Sequence, residues 1–291
     1  MIDPGHDIPI KDHTHYHIGG VAREVYFPVT AEDMRDVLKS LIETDTPYYV
    51  LGGGSNVLVG DGYWDGAVIV TTGMNRLEPN TGHIRCGAGV ASSTIAETAL
   101  EYGKTGLEFL YLLPGSIGGA LAMNARYDMT SISDVLIDAT AVHPLMGLRT
   151  FVQSEIDFAY KHTGIISEGW YICACSLRWV DGDPAEIRTR MDRIDWKRSE
   201  SRHFEYPSCG CIFKNDHNRN IQAGKLLDSL GVKGMRVGDA AVAEYHANFI
   251  ANLGNATAHD VLTLIEQIEK IVRDRTGIEL EREVQLAGSF D

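Results

Sequence analysis

The stretch Pro47-Tyr-Tyr-Val-Leu51, then Gly52-Gly53-Gly54-Ser55-Asn56, then Val57-Leu58-Val59 decides the fold class. Residues 47–51 read as one strand and 56–59 as the next, joined by three consecutive glycines. Glycines in a row permit positive φ and let main-chain N–H groups converge on an anion. Ser55 and Asn56 add side-chain donors, and Leu51 delivers the strand into the turn. The pattern departs from the dinucleotide fingerprint of a doubly wound sheet. A strand rather than a helix follows, and Val57 stands where the third glycine would fall. No lysine follows, so it is not a P-loop either. On this turn alone, an anion cradle and an ordinary tight hairpin are equally good readings.

Upstream, Thr30 with Asp33 three residues on gives a helix start, and Met34, Val37, Leu38, Leu41 and Ile42 follow at helical spacing. Downstream, short strands are expected over 67–71 and 83–86, then a helix over 94–102 stopped by Gly103. A second glycine cluster comes next: Gly106-Leu-Glu-Phe-Leu-Tyr-Leu-Leu-Pro-Gly-Ser-Ile-Gly-Gly-Ala120, followed by Asn124-Ala125. Four glycines beside an apolar run fit a plain core poorly, because glycine inside an element costs about 0.5–1 kcal/mol relative to alanine. A closely approached ligand explains them better than a glycine-permitted helix crossing. Strands are expected near 135–143, 150–152 and 170–179. Val180-Asp-Gly-Asp-Pro184 is turn-forming and reads as a domain boundary. An amphipathic helix over 258–275 carries Val261, Leu262, Ile265, Ile268 and Val272 and is stopped by Gly277, and a short strand over 283–287 closes the chain. Helices and strands mix without a βαβ rhythm, which predicts α+β.

The chain has 291 residues, long for one core and comfortable for two or three compact units. Its formal net charge of −14 excludes an extended nucleic-acid surface or an attraction to an anionic membrane, while leaving room for a local anion site. No stretch approaches the length of a membrane span, and the first twenty residues lack a basic region followed by an apolar run. The five cysteines (Cys86, Cys173, Cys175, Cys209, Cys211) form an odd, sparse set, read as reduced thiols of a cytoplasmic protein rather than a zinc site. The histidines of His13-Thr-His-Tyr-His17 are expected to line one face of an edge strand, with no metal bound.

The motifs Ile18-Gly-Gly-Val-Ala22, Leu51-Gly-Gly-Gly-Ser-Asn56, Pro114-Gly-Ser-Ile-Gly-Gly119 and Asn124-Ala125 occur in that order. They are joined by Pro207-Ser-Cys-Gly-Cys-Ile-Phe-Lys-Asn215, His246-Ala-Asn-Phe-Ile250 and Leu280-Glu-Arg-Glu-Val284. Together they resemble the UDP-N-acetylenolpyruvoylglucosamine reductase family, in its shorter class without an extra substrate-covering insertion, from about residue 13 onward. The resemblance implies a two-subdomain FAD-binding fold of the vanillyl-alcohol-oxidase type plus an α/β substrate-binding domain. Subdomain 1 would be 1–66, with the strand 282–291 returning to it, subdomain 2 would be 67–183, and the substrate domain 184–281. It implies reduction of UDP-N-acetylglucosamine enolpyruvate to UDP-N-acetylmuramate in peptidoglycan precursor synthesis. NADPH is the hydride donor and FAD the relay, in a monomer without nucleic-acid or membrane partners. It places Gly52, Gly53, Gly54, Gly115, Ser116, Gly118 and Gly119 at the cofactor, with Leu51, Ser55, Asn56, Asn124 and Ala125 beside them. Tyr160, Lys214 and Asn215 would contact substrate.

The family's three catalytic positions fall on Lys161, Cys211 and Glu283. Glu283 is kept, and Val284 and Leu286 beside it suggest a partly buried acid. Cys211 stands where the family has a serine donor; a thiol, with a reference pKa of about 8.5, is an easier acid than an alcohol. Lys161 replaces an arginine, keeping the charge but losing the planar two-pronged fork. Arg126-Tyr127-Asp128-Met129 replaces a usual Gly-Ala-Tyr-Gly run. These departures leave two alternatives open from sequence: a catalytically impaired flavin- or nucleotide-sugar-binding paralogue, and a related FAD oxidase.

Overall fold

The computed structural model describes residues 2–290. Contacts group the chain into two compact units, where the resemblance implies three parts. The first holds the chain up to His6, Glu24–Gly53 and Gly66–Lys197; the second holds Asp7–Arg23, Gly54–Asp65 and the chain from Arg198 on. The turn at 180–184 is not where the units divide. It starts a helix, Pro184–Glu200, whose Ile187 and Met191 are fully buried in the first unit's core. With Ile194, also buried, they form a narrow apolar stripe at i, i+4 and i+7 on an otherwise charged helix.

The first unit is built on a five-stranded antiparallel sheet in the order Gly147–Val152, Leu136–His143, Tyr171–Arg178, His83–Gly87, Leu77–Pro79. Alternation along the strands decides its faces. Ala139, Cys175 and Cys86 stand opposite one another and are fully buried. The next residues in register, Asp138, Ser176 and Arg85, turn to the other face and hydrogen-bond together.

The helix Ala31–Glu43 has the expected capping box, with the Thr30 hydroxyl accepting the Asp33 N–H and the Asp33 carboxylate accepting the Thr30 N–H. Met34, Val37, Leu38 and Leu41 are buried, and burying each contributes about 1.5–3 kcal/mol. Ile42, on the same sequence pattern, is exposed. The strand Tyr48–Leu51 pairs in parallel with the end of Trp64–Val70.

In the second unit Arg236–Val237, Ala240–Val242 and Ile250–Asn252 form a small antiparallel sheet, and the helix Ala258–Thr276 packs on it. Thr257 caps that helix, and Gly277, in the left-handed region at φ 69°, ends it. The terminal strand Gln285–Ala287 pairs in parallel with Val57–Val59. That pairing places residues after Gly53 in the second unit, so the glycine turn is where the chain passes from one unit to the other.

The histidine run is not an edge strand. Ile10–His13 is a single 3-10 turn, the Thr14 hydroxyl donates to the Ile18 carbonyl, and His17 is left-handed at φ 54°. Thr14 and Tyr16 are buried, Tyr16 fully, with its hydroxyl donating to the Ile250 carbonyl at 2.9 Å.

Candidate active site

In the first unit two glycine turns meet. The Gly53 N–H donates to the Ser116 hydroxyl at 3.1 Å. A Cβ on Gly53 would lie 2.6 Å from the Gly115 Cα and the Ser116 nitrogen; one on Gly118 would lie 2.7 Å from the Ala88 Cβ. The chain itself therefore fills the space at these two glycines. Gly52 and Gly119 differ. A Cβ on Gly52 would meet the Ser116 hydroxyl at 3.0 Å and otherwise nothing nearer than 3.8 Å, and one on Gly119 would meet only that hydroxyl, at 3.7 Å. Bare backbone from both turns thus lines one small cradle around Ser116, which is 3 % exposed. Main-chain dipoles without side chains are what a diphosphate needs for close approach. Gly115, at φ 92°, lets the chain turn into the helix Ile117–Ala122, and its carbonyl accepts the Ser92 N–H. Leu51 is buried, and its carbonyl accepts the Thr71 hydroxyl.

Glu108 of the Gly106-Leu-Glu-Phe run has a structural role that sequence did not distinguish from cofactor contact. Its buried carboxylate accepts the Gly106 N–H at 2.8 Å, the Thr105 hydroxyl at 2.6 Å and the Arg190 guanidinium at 2.9 Å. Burial alone would raise its pKa, but the three donors outweigh that and hold it below the usual carboxylate range.

Tyr160 and Lys161 form the two-residue turn between Phe158–Ala159 and His162–Thr163. Lys161 is left-handed at φ 55°, with its ammonium 6.0 Å from the centre of the Tyr160 ring. Asn124, at φ 40°, latches this hairpin: its amide donates to the Ala159 carbonyl at 3.2 Å and accepts the Ser133 N–H at 3.2 Å. Ala125 closes the turn after the helix, its N–H donating to the Ala120 carbonyl at 2.7 Å. The sequence offers these two residues as cofactor neighbours; here the Asn124 side chain bonds the hairpin that carries Tyr160 and Lys161, while Ala125 bonds within the turn after the helix.

In the second unit the segment Cys211-Ile-Phe-Lys-Asn215 runs between two others. On one side Cys211 bridges Phe249, and the Ile212 N–H donates to the Asn248 carbonyl at 2.9 Å. On the other, Phe213 bridges Arg282, the Lys214 N–H donates to Glu281, and the Glu283 N–H donates to the Ile212 carbonyl at 2.7 Å. The segments that carry Cys211 and Glu283 are thereby held side by side by isolated bridges. Glu283 is 8 % exposed; Cys211 is half-buried, whereas the other four cysteines are buried. Cys209 lies beside both: burial first, with Cys211 and Glu283 adding to it, pushes its thiol up to about 12, against a hydrogen bond from Tyr16. Gly210 between the cysteines is left-handed at φ 77°, so the two thiols sit either side of a bend.

Asn56 reaches this centre through its amide, which donates to the Glu283 carbonyl at 3.1 Å, while its own carbonyl accepts the Gln285 N–H. Gly54, left-handed at φ 67°, lies against His13, where a Cβ would sit 2.2 Å from the carbonyl oxygen; Ser55 follows it in the same unit. The Lys214 ammonium pairs with Glu281 at 2.7 Å, and the Asn215 Oδ1 accepts the Ala223 N–H at the start of the helix Ala223–Ser229. The structure thus brings Cys211, Glu283, Lys214, Asn215 and Asn56 together in one unit, and assigns Lys161, Tyr160 and the Gly52–Gly119 cradle to the other.

Residues 202–287 match the model of the UDP-N-acetylenolpyruvoylglucosamine reductase C-terminal domain, and residues 22–145 match an FAD binding domain. A UDP-N-acetylenolpyruvoylglucosamine reductase of Clostridium novyi is 35 % identical, covering 97 % of this chain and 91 % of that protein. The enzyme of that name from Agathobacter rectalis is 36 % identical, over 98 % and 94 %. The crystal structure of UDP-N-acetylenolpyruvylglucosamine reductase from Thermus caldophilus superposes with a TM-score of 0.81 at 31 % identity, covering 96 % of this chain and 97 % of that one. The chain belongs to the UDP-N-acetylenolpyruvoylglucosamine reductase family.

Proposed function

We propose that the protein reduces the enolpyruvyl double bond of UDP-N-acetylglucosamine enolpyruvate to give UDP-N-acetylmuramate, a step of peptidoglycan precursor synthesis, using FAD and NADPH. Family membership supports the reaction. The one structural observation that carries it is the Glu283 N–H to Ile212 carbonyl hydrogen bond, which holds the segment of a buried carboxyl against the segment that carries the half-buried Cys211.

When bound, FAD supplies the hydride relay between NADPH and the sugar nucleotide; Gly52, Gly119 and Ser116 supply the backbone-lined cradle that fits its diphosphate. Addition of hydride to the methylene carbon leaves negative charge on the carbon that bears the carboxylate. Cys211 gives that carbon its proton from Sγ, and Glu283 orients the thiol and the developing charge. A thiol with a reference pKa of about 8.5 remains protonated at neutral pH and can act so. Lys161 supplies positive charge to the enolate, as a point charge rather than a fork. Tyr160, Lys214 and Asn215 hold the nucleotide; Lys214 exchanges Glu281 for phosphate, and the side-chain oxygen of Asn215 caps Ala223.

Functionally the chain divides into cofactor parts at 1–66 and 67–183, with 282–291 returning to the first, and a substrate part at 184–281. It works in the cytoplasm as a monomer. Among the described residues no helix is long and apolar enough to cross a membrane. The test is NADPH oxidation by purified protein under nitrogen, with and without the enolpyruvyl nucleotide. Oxidation that requires the nucleotide supports the reading; oxidation that requires oxygen instead identifies an oxidase.

A further inference from the structure

Asn248 is 3 % exposed, and both ends of its amide are engaged by one residue 35 positions away. Its Oδ1 accepts the Phe213 N–H at 3.0 Å, and its Nδ2 donates to the Phe213 carbonyl at 2.8 Å. Its own carbonyl accepts the Ile212 N–H at 2.9 Å, and the Asn248 N–H is turned instead to the His246 Nδ1 at 3.3 Å. A regular strand partner would satisfy Phe213 through main-chain groups. Here the side-chain amide takes that place, matching donor to acceptor and acceptor to donor. No other neutral side chain of this length offers both in one plane.

The position of this bracket matters. Phe213 is flanked by Cys211 two residues before it and Lys214 directly after, and on its far side it bridges Arg282 next to Glu283. Fixing Phe213 from the Asn248 side fixes how far Cys211 stands from Glu283 along the two strands. Main-chain bonds alone fix this weakly, because few ladder bonds hold so short a pairing. We propose that Asn248 is a positioning residue for the protonation step, setting the register of Cys211 against Glu283. The role rests on the reading of Cys211 as the proton donor, and its test keeps the two claims apart.

Asn252 provides a matched control. It is equally buried on the same segment, but its amide serves Tyr16, Gly254 and Ala256. In Asn248→Asp the carboxylate keeps an acceptor for the Phe213 N–H and loses the donor to the carbonyl. In the FAD-loaded protein, we expect flavin reduction by NADPH to stay within about twofold of the parent and reoxidation by the enolpyruvyl nucleotide to slow about tenfold or more. Asn252→Asp should change neither rate at comparable thermal stability. Reoxidation within about twofold of the parent in Asn248→Asp, or equal slowing in Asn252→Asp, would overturn the proposal.

Alkylation of Cys211 by iodoacetamide gives a second readout that needs no turnover, since the other four cysteines are buried. Its rate against pH should change by about threefold or more in Asn248→Asp and not in Asn252→Asp. The same profile in both overturns the register claim even if the parent protein never reoxidises with the nucleotide, an outcome that would count against the reaction itself. Should Asn248→Asp not fold, Asn248→Ser, which keeps a shorter donor and acceptor, replaces it with the same expected and opposing results.

Discussion

The Glu283 main-chain N–H donates to the Ile212 carbonyl at 2.7 Å, which holds the segment of an acid from the last ten residues of the chain against the segment of Cys211, seventy-two positions earlier. The 72 is the difference between positions 283 and 211. Neither residue lies within a regular strand of any length; each sits on an isolated bridge or next to one. The pair is therefore held by a few specific bonds, from Asn56 and Asn248 above all, rather than by a long ladder.

Cys211→Ala should leave flavin reduction by NADPH intact and slow reoxidation by the enolpyruvyl nucleotide about tenfold or more, because a positioned acid contributes about 10²–10⁴-fold. Cys211→Ser should stay active, since a hydroxyl can stand in the same place. Stopped-flow absorbance separates the two half-reactions. An unchanged second half-reaction in Cys211→Ala would remove the thiol from the chemistry.

The glycine turns make opposite predictions at two positions. Gly53→Ala drives a methyl to 2.6 Å from the Gly115 and Ser116 backbone, which cannot yield as a flexible side chain would. Overpacking of this kind costs about 1–3 kcal/mol, so its melting temperature should fall with or without cofactor. Gly119→Ala meets only the Ser116 hydroxyl at 3.7 Å and gains helix propensity worth up to about 1 kcal/mol. The apo protein should be as stable as the parent or more so, while FAD affinity, titrated by quenching of flavin fluorescence, drops about tenfold as the added methyl occupies the cradle. Unaltered affinity would place the diphosphate elsewhere.

That contrast also shows what the sequence could and could not convey. Thr30 with Asp33, Gly103, Gly277 and the apolar positions of 258–275 were legible because capping and helical spacing are local, and the α+β class followed from the order of elements. The meaning of each glycine was not, because spacing does not say whether a ligand or the chain's own backbone approaches it; Gly53 and Gly118 turn out to be met by the chain. Asn124 and Asn56 stood in cofactor motifs, yet their amides bind the Tyr160-Lys161 hairpin and Glu283, partners 35 and 227 positions away. The helix Pro184–Glu200 was legible in the spacing of Ile187, Met191 and Ile194 but was passed over for the turn that precedes it, and the role of Asn248 was hidden by the distance to Phe213.

His203 should make the fold acid-sensitive. Its imidazole packs edge-on to Phe249 at 5.0 Å and Phe204 at 4.8 Å. Burial first, then the nearby Arg198 and His246, lowers its pKa from 6.5 to about 4. A folded pKa below the unfolded one favours the neutral ring, so this contribution is complete above pH 6.5 and is lost as pH falls towards about 4. Melting temperature should therefore decline between these values, and His203→Gln should flatten the decline. An identical slope in the variant would assign the acid sensitivity to other groups.

The central claim is a flavin reduced by NADPH and reoxidised by an enolpyruvyl nucleotide beside Cys211 and Glu283. It is tested most directly by recording the visible spectrum of the FAD-loaded protein under nitrogen through two additions. NADPH should bleach the flavin bands, and UDP-N-acetylglucosamine enolpyruvate should then restore them with formation of UDP-N-acetylmuramate. A protein that takes up no FAD, or whose bleached flavin recovers only when air is admitted, would contradict it.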